Sequence, residues 1–180
     1  MDKRELIKKI EEEVSNCRKC SLWATRKNPV PGSGSVYTSV MLVGEAPGFH
    51  EDLQGKPFVG AAGKYLDQLL SIAGLKRENV YITNVLKCRP PGNREPQPNE
   101  IKACTPYLDR QIEIIEPKVI IALGNYAASY LLEKYGFKPA SIGRIHGKPF
   151  RTYSLLGELI IVPMYHPCLL YTSPSPRDRG

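Results

Sequence analysis

Four short stretches of nearly unbroken apolar sequence constrain the fold of this chain more than any other feature. They are 39–48 (SVMLVGEAPG), 80–88 (VYITNVLKC), 118–124 (KVIIALG) and 158–167 (ELIIVPMYHP). Each has the length of a strand, and none alternates apolar with polar residues. A strand of that kind has to be covered on both faces, which is the situation of a parallel sheet with helices on either side. The intervening sequence supplies the helices. Residues 3–16 carry Leu6, Ile10 and Val14 at helical spacing, and 63–74 carries Tyr65, Leu66, Leu69, Leu70 and Ile72 on one face. Helices over 99–115 and 125–135 follow, with Asn99 as the expected N-cap of the first of these. The pattern predicts an α/β fold, a three-layer α-β-α sandwich around a four-stranded parallel sheet. In such a fold ligands bind outside the carboxyl ends of the strands. The polar residues at those ends are Glu45, Asn84, Asn125 and His166.

Cysteine is the second constraint. Cys17 and Cys20 form a C-x-x-C behind the first helix, and Cys88 and Cys104 lie far downstream. Thiols gathered from distant parts of a chain serve a disulfide or a metal, and the compartment decides which. The start, MDKRELIKKIEEEVSN, is a charged amphipathic helix without the apolar centre of a signal peptide, and no apolar run approaches a membrane span. The chain is therefore expected in the cytoplasm, where thiols stay reduced. Four of them with no histidine nearby suit either an iron–sulfur cluster or a zinc site built from cysteine alone. At 180 residues and 42% apolar composition the chain suits one domain with a substantial core. A net charge of +7 without long Lys/Arg blocks suits a polyanion met by a shaped basic surface.

Three longer motifs follow the C-x-x-C in order: GEAPGFHEDLQGKPFVGAAGKYLD (44–67), TNVLKCRPPGNREPQPNEIKAC (83–104) and YHP (165–167). Together they resemble the family-four uracil-DNA glycosylases, the iron–sulfur type of thermophiles and many bacteria. The resemblance runs from the N-terminal helix to Pro167. It implies a uracil-DNA glycosylase-like sandwich and a monofunctional DNA N-glycosylase, expected as a monomer. Such an enzyme flips deoxyuridine out of single- or double-stranded DNA, hydrolyses its N-glycosidic bond and leaves an abasic site for base-excision repair. The resemblance also implies that Cys17, Cys20, Cys88 and Cys104 hold a [4Fe–4S] cluster of mainly structural role.

The same resemblance implies the site. Gly44 and Glu45 would lie beside the flipped nucleotide, with Glu45 as a catalytic residue that holds or polarises the attacking water or screens the pocket. Taken alone, GEAPG is a turn in which small residues let the backbone approach a ligand. Related enzymes carry an Asp one position after the equivalent of Glu45 and a Tyr three positions after it. Here those positions are Ala46 and Gly48, so no general base is assigned. Phe58 matches the aromatic that stacks on the extruded uracil. Asn84 matches the amide that pairs with the uracil edge. A carboxamide offers a donor and an acceptor, so it can meet O4 and N3–H together, whereas cytosine presents the inverse pattern. His166 matches a histidine that contacts uracil O2, where a hydrogen bond that strengthens as charge collects on the leaving base lowers the barrier. Lys87, Arg89 and Arg94 surround the cluster loop as phosphate contacts. No lysine matches a catalytic position, so no Schiff base is expected, and thymine is expected to be rejected through its methyl group. His146 resembles the covalent histidine of a related class, but it follows Cys104 rather than preceding the last cysteine. It is read as facing a hairpin or the backbone.

From Cys168 the sequence changes character. CLLYTSPSPRD (168–178) is what one reading frame of a common transposase sequencing adapter would encode. The expected natural domain is therefore 1–167, followed by a non-native tail over 168–180. The DNA-probing loop and last helix that the family places after His-Pro would then be missing, with weaker stability and poor or absent activity as the expected consequence.

Overall fold

A computed structural model of the protein describes residues 1–155 and 157–167. The chain opens with α1 (Lys3–Ser15), passes through the Cys17–Cys20 segment, and enters β1 (Ser33–Gly34) and β2 (Val40–Gly44). It continues through α2 (Phe49–Gln54), α3 (Ala61–Ile72), β3 (Tyr81–Asn84), α4 (Pro98–Ile115) and β4 (Val119–Leu123). The remainder is α5 (Asn125–Lys134), α6 (Ile142–Ile145), β5 (Phe150–Ser154) and β6 (Gly157–Met164). The adapter-like segment, 168–180, lies outside the described residues.

The strands form one sheet in the order β1-β3-β2-β4-β6-β5. The inner four are parallel and correspond to the four apolar runs. The expected four-stranded sheet is thus extended to six by an antiparallel strand at each edge. Neither edge strand has an apolar run. β1 is two residues long, and β5 leaves three of its residues in water, so neither has the two faces to cover that produce the apolar signature.

Alternate residues of β2 point into opposite layers. Met41 and Val43 join a core with Ile10, Leu108, Leu131 and Ile145, while Leu42 joins a second core with Leu66, Leu70 and Ile82. Helices α1, α4, α5 and α6 therefore cover one face of the sheet and α3 the other, which gives the three layers. Helix α4 starts at Pro98, not behind an Asn99 cap. Proline is preorganised for the first helical position, and the Glu100 carboxylate accepts the Gln97 N–H at 2.9 Å in place of an Asn99 cap. Among the described residues no helix is long and apolar enough to cross a membrane.

The topology concentrates loops at one place. From β2 the chain adds β3 on one side and then returns to place β4 on the other, so the carboxyl end of β2 is a switch point with a crevice beside it. Register puts Gly44, the last residue of β2, opposite Asn84, the last residue of β3. The apolar run after Asn84 leaves the sheet but stays attached: Val85 and Leu86 donate to the carbonyls of Gly44 and Glu45, both at 2.9 Å.

Candidate active site

A cavity of about 50 Å³ opens at this switch point, with Gly48, Glu51, Phe58, Asn84 and His166 in its wall. The rings of Phe58 and His166 lie 5.7 Å apart and tilted by 31°. Asn84 is buried, and its Oδ1 atom has no hydrogen-bond donor among the described residues. Gly44 makes this packing possible. A Cβ at that position would stand 2.5 Å from Asn84 Oδ1 and 2.6 Å from Phe58 Cζ. Glu45 is fully buried and does not line the cavity. Asn125, at the start of α5, does not line it either; its Oδ1 accepts the Ile142 N–H at 2.9 Å and ties α5 to α6.

Phe58 is held against its own backbone preference. Its φ is 50°, a left-handed conformation that a bulky residue adopts only under constraint. Arg77 supplies much of that constraint. Its guanidinium donates to the carbonyls of Phe58, Pro57 (2.9 Å) and Gly63 (3.1 Å), and its Nε pairs with Asp67. From the other side, Glu51 of α2 accepts the N–H groups of its own N-cap Gly48 (3.0 Å) and of Val59 (2.9 Å) and Gly60 (3.2 Å), so the chain just after Phe58 is pinned to α2. Arg77→Ala leaves three carbonyls to water or to nothing. It is expected to cost roughly 2 kcal/mol and to lower the melting temperature by roughly 5 °C, as read by thermal denaturation.

The four cysteines also meet. Cys17, Cys20, Cys88 and Cys104 line one small space of about 20 Å³ behind the sheet end, together with Leu22 and Tyr107. All four are free thiols. Hydrogen-bond donors are aimed at the sulfurs: Arg26 Nη1 at Cys88 Sγ (3.0 Å) and the Lys87 N–H at Cys104 Sγ (3.3 Å). Burial raises the pKa of Cys20 and Cys88 and pushes Cys104 up to about 11. Among the described residues no three metal-binding side chains converge on a point that would seat a single ion. The thiols surround a volume instead.

Comparison with known proteins agrees with this layout. A sequence model of the Uracil DNA glycosylase superfamily matches residues 31–179. A type-4 uracil-DNA glycosylase of Saccharolobus solfataricus is 52% identical over 168 residues, covering 92% of this chain and 77% of that protein. The chain belongs to the type-4 uracil-DNA glycosylase family. Further relatives of the same name come from Archaeoglobus fulgidus (45% identical, 97% of this chain and 87% of that protein) and Thermotoga maritima (44%, 96% and 87%).

Within this uracil-DNA glycosylase scaffold, the basic residues expected at phosphates divide. Lys87 is a correction, because it is 1% exposed and faces inward. Its Nζ donates to Thr83 Oγ1 (2.7 Å), the Asn84 carbonyl (2.7 Å) and Gln111 Oε1 (2.8 Å), which uses all three ammonium donors. Burial lowers its pKa to about 7. The residue supports the strand end that carries Asn84 and cannot reach DNA. Arg94 is committed as well: both terminal nitrogens lie on the buried Glu100 carboxylate, at 2.9 and 2.8 Å, and this pair closes the start of α4. Arg89 is half-buried, and like Lys87 it forms no ion pair with a carboxylate among the described residues; unlike Lys87 it is not turned into the core. His146 ends α6 with Nδ1 3.3 Å from the Ile142 carbonyl and its ring 4.5 Å from that of Tyr165, outside the cavity wall. Sequence reasoning missed Glu51 and Arg77. Glu51 lies inside the quoted 44–67 motif and Arg77 ten residues beyond it, but only the fold shows that their partners include backbone groups of the Phe58 loop.

Proposed function

We propose that the protein is a monofunctional uracil-DNA glycosylase that hydrolyses the N-glycosidic bond of deoxyuridine in DNA. One observation carries the reading: a buried carboxamide acceptor without a donor, set in a cavity walled by an aromatic ring and an imidazole. A buried polar atom left unpaired costs about 1–3 kcal/mol, so its retention points to a ligand that completes it. Uracil does so with N3–H, while the Asn84 amide nitrogen meets O4. Phe58 stacks on the extruded base. His166 stands at O2 and donates to the oxygen on which charge accumulates as the bond breaks, which stabilises the transition state more than the ground state. Glu45 is assigned to polarising the attacking water or to screening the pocket, from a fully buried position behind the cavity wall.

We assign Cys17, Cys20, Cys88 and Cys104 to a [4Fe–4S] cluster. Support comes from four thiols on one space and N–H donors at two of the sulfurs. When bound, the cluster would crosslink α1, α4 and the loop after β3; the hydrolysis itself needs no electron transfer.

The direct test is incubation of the anaerobically purified protein with a uracil-containing oligonucleotide, followed by alkaline cleavage at the abasic site. Loss of strand integrity only at uracil is expected, and an uncut strand from a version carrying a natural family C-terminus in place of 168–180 would overturn the reading. Gly44→Ala is expected to lower kcat/KM at least a hundredfold, since its methyl group displaces both Asn84 and Phe58 from positions that catalysis needs to within a fraction of an ångström.

A further inference from the structure

We propose a second DNA subsite beside the pocket: Phe49, flanked by Lys27 and Arg89, is a stacking platform for the nucleotide next to the extruded one. The proposal rests on the uracil-DNA reading and adds where the neighbouring nucleotide sits.

Phe49 follows directly on Gly48, a residue of the cavity wall, yet its side chain remains 46% exposed. Two separate segments converge on that ring, and its own neighbour in α2 packs against its edge. The Arg89 guanidinium carbon lies 5.4 Å from its centroid, Lys27 Nζ lies 6.0 Å away, and the His50 ring meets it edge-on at 5.4 Å. The arrangement is fixed from behind. Asp52 of α2 accepts the backbone N–H groups of Lys27 (2.9 Å) and Asn28 (3.3 Å), and Asn28 Nδ2 donates back to the Asp52 carbonyl at 2.9 Å. Arg89 Nε donates to Asn93 Oδ1 at 2.7 Å, which sets the guanidinium beside the ring. Neither Lys27 nor Arg89 forms an ion pair with a carboxylate among the described residues.

A half-exposed aromatic ring with two cations over it, neither paired with a carboxylate, has the chemistry of a nucleotide-binding step. The base stacks on the ring as the two flexible cations move off it to the adjoining phosphates. Contiguity with the uracil pocket selects the occupant, because extruding a nucleotide leaves its neighbour unstacked at the cavity mouth, where Phe49 stands.

The test uses the full chain and an oligonucleotide bearing a non-cleavable 2′-fluoro-deoxyuridine, with binding read by fluorescence anisotropy. Phe49→Ala is expected to weaken binding about tenfold, and Phe49→Trp to retain it. Deleting the base immediately 5′ or 3′ of the uracil is expected, on one of the two sides, to weaken wild-type binding by the same factor and to add nothing in Phe49→Ala. Lys27→Gln and Arg89→Gln should each flatten the dependence of log K on log salt by about one. Unchanged binding by Phe49→Ala, failure of Trp to restore it, or full additivity with base deletion on both sides would overturn the platform. Uracil excision by the wild type, measured alongside, separates the two ideas. If the wild type cuts and the coupling is absent, only the platform fails.

Discussion

Asn84→Ala removes about a thousandfold of the uracil-excision activity and leaves the melting temperature within about 3 °C of wild type. The two halves of this expectation share a cause. In the free protein Asn84 Oδ1 is buried without a donor, a standing cost of about 1–3 kcal/mol that truncation removes. The packing lost against Phe58 and Gly44 offsets that gain, so the net change in stability is small. In the complex the sign reverses. Without the amide, uracil N3–H and O4 are desolvated against apolar surface, and a site built to bond a substrate group discriminates by orders of magnitude once the partner is gone. Asn84→Asp should fall nearly as far, because a carboxylate accepts from N3–H but repels O4. Single-turnover excision and thermal denaturation, run on the same preparations, check both halves. Activity within about tenfold of wild type, or a melting temperature lowered by about 10 °C or more, would make Asn84 a structural residue.

The central sheet was legible because its four parallel strands are buried on both sides and so have no polar face to interrupt them. The same logic hid β1 and β5, whose edge positions leave a wet face. Site residues at strand ends were equally legible: register and topology force Gly44 and Asn84 together, and His166 follows the last strand at the same edge of the sheet. What could not be read was the direction of long side chains. Lys87 and Arg89 are two residues apart in a basic loop, yet one turns inward to the Asn84 carbonyl and the other outward to Phe49. Their identities carry no such information, because the choice is made by Gln111 on α4 and Asn93 in the loop. Arg77 illustrates the same point, since its partners are carbonyl groups that no residue pattern displays.

Those inward contacts join the two halves of the site, which sets the expectation for Cys88→Ser. Lys87 touches the cysteine space through its N–H on Cys104 Sγ and the uracil pocket through its ammonium on the Asn84 carbonyl. Cys88 is the next residue, and it also anchors Arg26, which donates to the Val14 and Ser15 carbonyls at the end of α1. Removing this proposed ligand releases one of four attachments among α1, α4 and the loop after β3, and a metal site's binding energy is folding energy. We expect loss of the brown colour and of absorption near 400 nm, with a destabilisation on the order of 4 kcal/mol and a melting temperature lower by roughly 10 °C. Excision should fall with them, because Asn84 loses the rigid loop behind its carbonyl. The pattern across two variants distinguishes this from a general loss of packing. Cys88→Ala, which keeps an apolar side chain, should bleach and destabilise as much as Cys88→Ser, since the lost item is a ligand and not a volume. A variant that stays brown, or a wild type that carries zinc in place of iron and sulfide, would overturn the cluster assignment while leaving the Asn84 pocket untouched.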